Sequence, residues 1–505
     1  MTRSPGILLQ PEVIPVARPC RRFGLVTLFS LLSLLGSPAV LATSFSAQKV
    51  ALEHPANGHL LKLADNPWLL VSGHNSEHRW LSQVDVNKLE AAQIAIPVNA
   101  QFFAQAKLAG QTGGQLVALT TEGIAHYQFA EKRWRQLLSS SSLYRVVDSK
   151  RLRLMDFSMA VNNDTDSDFL LPDFNGYQLW LQQADGSFRH FELKIDSQMQ
   201  AFDEDPTYIA RKPWLADVTQ DGLTDIAFAK DDSLLLFVQQ ADGSFPATPQ
   251  TLTLGVGLTP DTQAQMRSGD GRSYQGLVIK KLQQLRDING DALADLVVQQ
   301  QEYVDAMEQN YSYQIHYGQP GPGGLVFPAK PNQTISTSGV QFDVKFVDLD
   351  NDKRLDFYTP VAQIGVRSIV RALLAGTANL EFQFYKQQPD GSFGTKPVYR
   401  QDVTVEFSIG SGTVNMPLAT VVKNAAGLAS LVVGDGEDTL RSFAPVAAKL
   451  FSEKSSKQAQ PMPKKGTEAL VSDLNGDGKE DLVLPFSLQE SKAELTNQLQ
   501  LLLQQ

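Results

Sequence analysis

A nine-residue acidic loop recurs four times along this chain and constrains what it can fold into. It reads Asp217-Val-Thr-Gln-Asp221-Gly-Leu-Thr-Asp225, then Asp287-Ile-Asn-Gly-Asp291-Ala-Leu-Ala-Asp295. The third copy is Asp348-Leu-Asp-Asn-Asp352-Lys-Arg-Leu-Asp356, and the fourth Asp473-Leu-Asn-Gly-Asp477-Gly-Lys-Glu-Asp481. Oxygen-bearing side chains fall at positions 1, 3, 5 and 9 each time, with Thr219, Asn289, Asp350 and Asn475 at the third. A fifth copy, interrupted by an insertion, is expected at Asp156, Asp164 and Asp168.

Each loop runs straight into a short apolar segment: Ile226-Ala-Phe, Leu296-Val-Val, Phe357-Tyr and Leu482-Val-Leu. Such runs read as buried strands. A second strand follows, as in Gln178 to Gln183 and Leu234 to Gln240. Then comes a turn in nearly constant words: Asp185-Gly-Ser-Phe188, Asp242-Gly-Ser-Phe245 and Asp390-Gly-Ser-Phe393. Asp-Gly supplies the positive φ of a tight turn, and the Phe returns to the core. The unit is therefore strand, acidic loop, strand, turn, strand, turn, strand.

The loops begin at 156, 217, 287, 348 and 473, so the steps are 61, 70, 61 and 125 residues. The last step spans two periods and hides a unit without carboxylates, at Gly427 to Val433 before the turn Gly434-Asp-Gly436. Gln115 to Phe129 and Leu60 to Leu81 read as two more units without metal loops. Eight units result, as an all-β propeller of four-stranded blades, with seven blades, a solenoid or several sandwiches as the alternatives. After Asp481 only two strands remain, Asp481 to Pro485 and Leu495 to Gln505. Ser46 to Leu52 is expected to supply the missing outer strand and close the ring.

Alternating oxygens in a tight loop suit calcium, which takes six to eight oxygen ligands; magnesium prefers fewer protein ligands and more waters. The opening Asp473-Leu-Asn-Gly-Asp-Gly478 also fits an EF-hand or dockerin. Those need Glu at position 12 before a helix, whereas Phe228, Val298, Thr359 and Leu484 stand there, in strands. An Asx-rich turn that binds no metal is the remaining alternative.

Taken together, the aspartate loop, the apolar strand and the Asp-Gly-Ser-Phe turn resemble the FG-GAP or VCBS repeat of integrin α-like propellers and exported bacterial proteins. The resemblance covers about Asp156 to Phe393 and Glu468 to Leu484. It implies calcium between the first two strands of a blade, held by the loop residues named above. It implies none at the unit near Gly427 or in the two N-terminal units. Ala292 and Lys353 depart from the Gly that follows the fifth position.

Ahead of the repeats, Arg18, Arg21 and Arg22 precede the apolar run Leu25 to Leu35 and the small-residue site Val40-Leu41-Ala42. That order is a secretory signal peptide over residues 1–42, which leaves 43–505 as one propeller. An uncleaved anchor and a twin-arginine signal are the alternatives. Cleavage removes Arg3, Arg18, Arg21, Arg22 and Glu12, which takes the formal charge from −10 to −13, and it also removes Cys20, the only cysteine. The exported chain, periplasmic or extracellular, then has no disulfide, and metal is the expected staple. The acidic balance supplies no basic stripe for nucleic acid, and no later segment is long and apolar enough to span a membrane.

No catalytic constellation stands out. His74-Asn-Ser-Glu77-His78 has the H-x-x-E-H spacing of a zinc site, but it sits between strand-like segments and reads as a polar turn. Gly318 to Gly324 is a proline-bearing loop, and Gly410-Ser411-Gly412 is no nucleophile elbow. Tyr303, Tyr311, Tyr313 and Tyr317 read as blade packing. The expected function is a non-enzymatic binding, adhesion or scaffolding module for a protein or glycan. The alternative is a carbohydrate-active propeller, a polysaccharide lyase or glycosidase.

Overall fold

In the computed structural model, the described residues are 43–505 except 147–149, 163, 203–204, 262–274, 305–308, 342–343, 363–374, 409–412, 488–489 and 491. The expected signal peptide with Cys20, and Gly410-Ser411-Gly412, lie outside them. Eight antiparallel sheets follow one another along the chain as the blades of a β-propeller.

Blade 1 consists of Leu60–Lys62, Trp68–His74, Arg79–Asp85 and Glu90–Gln93. Blade 2 consists of Ala100–Ala106, Gln115–Thr120, Gly123–Gln128 and Arg133–Ser139. Blade 3 consists of Ser158–Met159, Asp168–Asp173, Gly176–Gln182 and Phe188–Lys194. After a hairpin of Gln198–Phe202 and Asp205–Ile209, blade 4 consists of Pro213–Ala216, Asp225–Lys230, Ser233–Phe237 and Gln250–Thr253. Blade 5 consists of Val278–Arg286, Asp295–Tyr303, Gln309–His316 and Gln333–Ser338. Blade 6 has a broken inner strand, Val340–Gln341 and Lys345–Val347, then Asp356–Ala362, Thr377–Tyr385 and Tyr399–Ser408, with Thr413–Asn415 outside. Blade 7 consists of Ala419–Lys423, Ala429–Gly434, Thr439–Val446 and Leu450–Ala459.

Blade 8 takes Leu470–Ser472, Asp481–Pro485 and Gln498–Gln504 from the C-terminus and its outer strand, Phe45–Ala51, from the N-terminus. The last pair runs in unbroken register from Phe45 opposite Gln504 to Ala51 opposite Gln498. The expected closure is therefore present, and it covers the edge that Gln498–Gln504 would otherwise expose.

Ring geometry explains why the second strands carry continuous apolar runs rather than alternating ones. Both faces of a blade are covered, as in any doubly buried sheet. In blade 4, Ile226 and Phe228 point into the core shared with blade 3, whereas Ala227 points into the core shared with blade 5. Eight such cores occur, one between each pair of neighbouring blades. The seam core joins Val483, Leu499 and Val50 of blade 8 to Leu60, Leu69 and Val71 of blade 1. Eight blades, not seven, therefore complete the circle.

The tyrosines fall within blade packing, with Tyr313 and Tyr311 buried. Gly318 to Gly324 contributes a small hairpin, Gln319–Gly321 with Gly324–Val326, which reaches the blade 4 loop through Leu325 N–H to Val218 O (2.8 Å). Among the described residues, no helix is long and apolar enough to cross a membrane.

Candidate metal centres

All inner strands run in one direction, so the loops that follow them collect on one face of the ring. Within each loop the first Asp folds the turn around its own carboxylate. Asp217 accepts from the N–H groups of Asp221 (3.1 Å) and Gly222 (2.9 Å), and Asp473 from Gly476 (2.7 Å) and Gly478 (2.9 Å). Asp287 and Asp348 do the same for Gly290 and Ala292, and for Asp352 and Lys353. The fifth-position Asp then accepts from the N–H two residues on: Leu223, Leu293, Arg354 and Lys479. Ala292 (φ 66°) and Lys353 (φ 65°) take the same left-handed conformation as Gly222 and Gly478, so all four loops share one turn despite the missing glycines.

The ninth Asp is the most constrained residue. Asp168, Asp225, Asp295, Asp356 and Asp481 are all fully buried. One oxygen of each accepts from the N–H of the second loop residue: Val161, Val218, Ile288, Leu349 and Leu474, at 2.9–3.1 Å. The other accepts from an N–H at the end of the third strand: Gln182, Gln239, Gly318, Gln387 and Gln504, at 2.8–3.2 Å. This carboxylate therefore ties loop, second strand and third strand together. Burial pushes the Asp168 and Asp295 carboxyls up to about 6 and Asp356 up to about 7, where Asp350 and Asp352 add repulsion. Burial also raises Asp225 and Asp481. A cation bound beside such a carboxylate would favour its ionised form.

The third-position residues diverge. Asn289 and Asn475 each accept from the fifth-position N–H at 3.0 Å, and Thr219 Oγ1 donates to Asp225 (3.1 Å). Asp350 is bound by Lys386 Nζ, and Asp352 by Arg354. One carboxylate oxygen each from Asp348, Asp350 and Asp356 lies within 4.8 Å of the others. Two oxygens sharing one calcium at about 2.3–2.6 Å are at most about 5 Å apart, so this trio fits the ion. Lys386 would compete with it at Asp350, and Arg354 occupies the neighbouring Asp352.

The fifth loop differs from the expected reading. Asp168 binds Val161 N–H, and Asp164 accepts from Asp166 N–H (2.9 Å), so the loop runs from Ala160 to Asp168 without an insertion. Asp156 precedes the inner strand Ser158–Met159 and does not open the loop; Ala160 stands at the first position. Asp164 and Asp168 keep the fifth and ninth places, with Asn162 third. This loop therefore lacks the carboxylate that organises the turn. In blade 7, Asn424 closes a short turn onto Leu428 (3.1 Å) with no carboxylate, as expected.

A glutamine pair recurs where the third strand ends in four blades. Gln182-Gln183, Gln239-Gln240, Gln387-Gln388 and Gln504-Gln505 all follow a third strand. The first Gln braces the ninth Asp. Its side chain also reaches the preceding blade: Gln182 donates to Lys107 O (3.0 Å) and Gln387 to Ile288 O (3.0 Å). In three of the four the second Gln closes the Asp-Gly-Ser turn, as in Gln183 N–H to Ser187 O (2.8 Å), whereas Gln505 N–H reaches Ser44 O (3.0 Å). His74 and His78 flank a hairpin turn closed by Asn75 N–H to His78 O (2.8 Å), and His78 is exposed, so the zinc spacing is a polar turn.

No protein-family model and no curated protein sequence matches the chain. Solved structures do. An Agrocybe aegerita lectin that recognises non-reducing terminal N-acetylglucosamine aligns at TM-score 0.44 and 13% identity, over 83% of this chain and 94% of the lectin. The Dos1 propeller aligns at 0.39 and 8%, over 91% and 94%. The periplasmic gluconolactonase PpgL of Pseudomonas aeruginosa aligns at 0.32 and 12%, over 79% and 97%. At these scores the likenesses add nothing to the residue-level reading, which rests on eight closed blades and five stapled loops.

Proposed function

We propose that this protein is an exported, calcium-braced binding propeller of the FG-GAP or VCBS kind, a scaffold for a protein or glycan ligand rather than an enzyme. The observation that carries the reading is the buried ninth Asp that recurs behind an acidic loop in four blades, with no disulfide in the expected mature chain; among the described residues, only Asp348, Asp350 and Asp356 bring three carboxylate oxygens within 4.8 Å of one another. The ligands are Asp217, Thr219, Asp221 and Asp225; Asp287, Asn289, Asp291 and Asp295; Asp348, Asp350, Asp352 and Asp356; and Asp473, Asn475, Asp477 and Asp481. The loop ending at Asp168 lacks the first ligand and is the weakest candidate. Bound calcium would offset the carboxylate charge and cross-link each turn to the strand that follows it.

Calcium titration of residues 43–505 tests this. Three or four sites with dissociation constants of about 10⁻⁴ to 10⁻³ M, the range of extracellular modules, are expected. The Lys386-capped loop should fill last. Absence of saturable calcium uptake would remove the metal reading.

A further inference from the structure

On the face opposite the acidic loops, the chain places a basic strap at the axis of the ring. Arg153–Leu154 pairs in parallel with Phe102–Phe103, which belongs to the inner strand of blade 2, so this segment lies inside the innermost strand. Leu152 is buried in the core between blades 1 and 2, while Arg151 and Arg153 on either side of it are exposed. Arg151, Arg153 and Leu154 are all exposed, so this segment presents its basic residues at the surface.

Three further basic groups converge there. His59 leads into the inner strand of blade 1, His74 ends the second strand of the same blade, and Lys465 precedes the inner strand of blade 8. All three are at the ends remote from the acidic loops. Burial, then the charges of Arg151, Lys465, Arg153 and His59, hold the His74 pKa below its ordinary value. Glu468 is the acid felt at His59, and it is paired with Lys465 (3.2 Å). Beside the strap opens a cleft of about 790 Å³, lined by His54, Glu77, His78, Arg79, Trp80 and Lys150. At neutral pH Arg151 and Arg153 carry the positive charge of this mouth, since burial disfavours the charged forms of His59 and His74 and Glu468 offsets Lys465.

We propose that this channel mouth binds an anionic oligosaccharide, with carboxylate or sulfate groups seated on Arg151 and Arg153 and the chain extending into the cleft. The geometry favours a slender ligand. Turns farther from the axis on the same face carry Glu122, Asp231, Asp232 and Asp435, which repel a flat anionic membrane or a duplex. Single-stranded nucleic acid would need exposed aromatic faces for stacking, and Trp80 is buried. The inference rests on the binding-module reading above but not on the calcium loops, which lie on the other face.

The test is affinity of residues 43–505 for immobilised heparin and for polygalacturonate, with neutral dextran, anionic phospholipid vesicles and single-stranded DNA as further arms. Retention on one or both anionic glycans at low salt, elution by salt and no retention on dextran are expected. Arg151→Glu/Arg153→Glu should weaken binding about tenfold or more, since charge-assisted hydrogen bonds are lost. Lys49→Glu/Lys454→Glu, the same charge change on exposed outer strands, should leave it unchanged. Flow-through of the unaltered protein, equal weakening by both double variants, or tighter binding to vesicles or DNA would overturn the proposal. Melting curves of the same samples with and without calcium report separately on the metal loops and confirm that each variant is folded.

Discussion

A carboxylate with no exposed surface is costly to ionise, and five recur at the ninth loop position. Each accepts backbone N–H bonds from both sides, so Asp481→Asn would set an amide donor against a backbone donor. It should lower metal-free stability by about 1–3 kcal/mol in denaturant titration. Asp477→Asn alters an exposed turn residue instead. It should change metal-free stability by under about 0.5 kcal/mol while weakening calcium binding. The pH dependence follows from the same residues. The folded carboxyls of Asp168 and Asp295 titrate at about 6 and that of Asp356 at about 7, above the ordinary value of 3.8. Their protonated forms therefore favour the fold below about pH 4, and this contribution is lost as pH rises through 6 to 7. Calcium-stripped protein should melt higher at pH 5 than at pH 8, as read by differential scanning fluorimetry, and calcium should flatten that slope. A flat profile without calcium would remove the electrostatic account.

Strands and turns were the most legible elements, because period and turn chemistry agreed. The apolar run after each loop, the Asp-Gly-Ser-Phe turns and the N-terminal closing strand all lie where the pattern expects them. The misread element is the fifth loop. Asp156 offered a carboxylate near the expected spacing, yet the backbone hydrogen bonds of Asp168 place Ala160 first. Lys386 was also illegible, since it reaches Asp350 from the end of another strand. The Gln-Gln repeat was visible but had no assigned role until its contacts between blades were seen. The closing strand yields its own prediction. A chain beginning at residue 53 lacks Phe45–Ala51 and exposes the edge of Gln498–Gln504, so size-exclusion chromatography should show self-association. A peptide of residues 44–52 added in trans should restore the monomer, and a monomeric truncation without peptide would contradict the closure.

The whole molecule is polarised. Inner strands carry the chain from a basic mouth at one face to acidic loops at the other, and eight shared cores join the blades into a ring. Blade number was legible through the doubled 125-residue step, which hides blade 7, and through the strand-like segments Leu60 to Leu81 and Gln115 to Phe129, because blades 1, 2 and 7 carry no acidic loop. The basic strap was not legible in the sequence, because Arg151 and Arg153 are separated there from His59, His74 and Lys465. The ring topology alone brings them together. Metal in the acidic loops would act on the scaffold, and the opposite mouth is left for ligand. The most direct measurement is the melting temperature of residues 43–505 in millimolar calcium against EDTA at pH 7.5. Ligand binding to the folded state raises stability by mass action, so a higher melting temperature in calcium, restored when calcium is added back after chelation, is the predicted result. Superimposable curves in calcium and EDTA would contradict it.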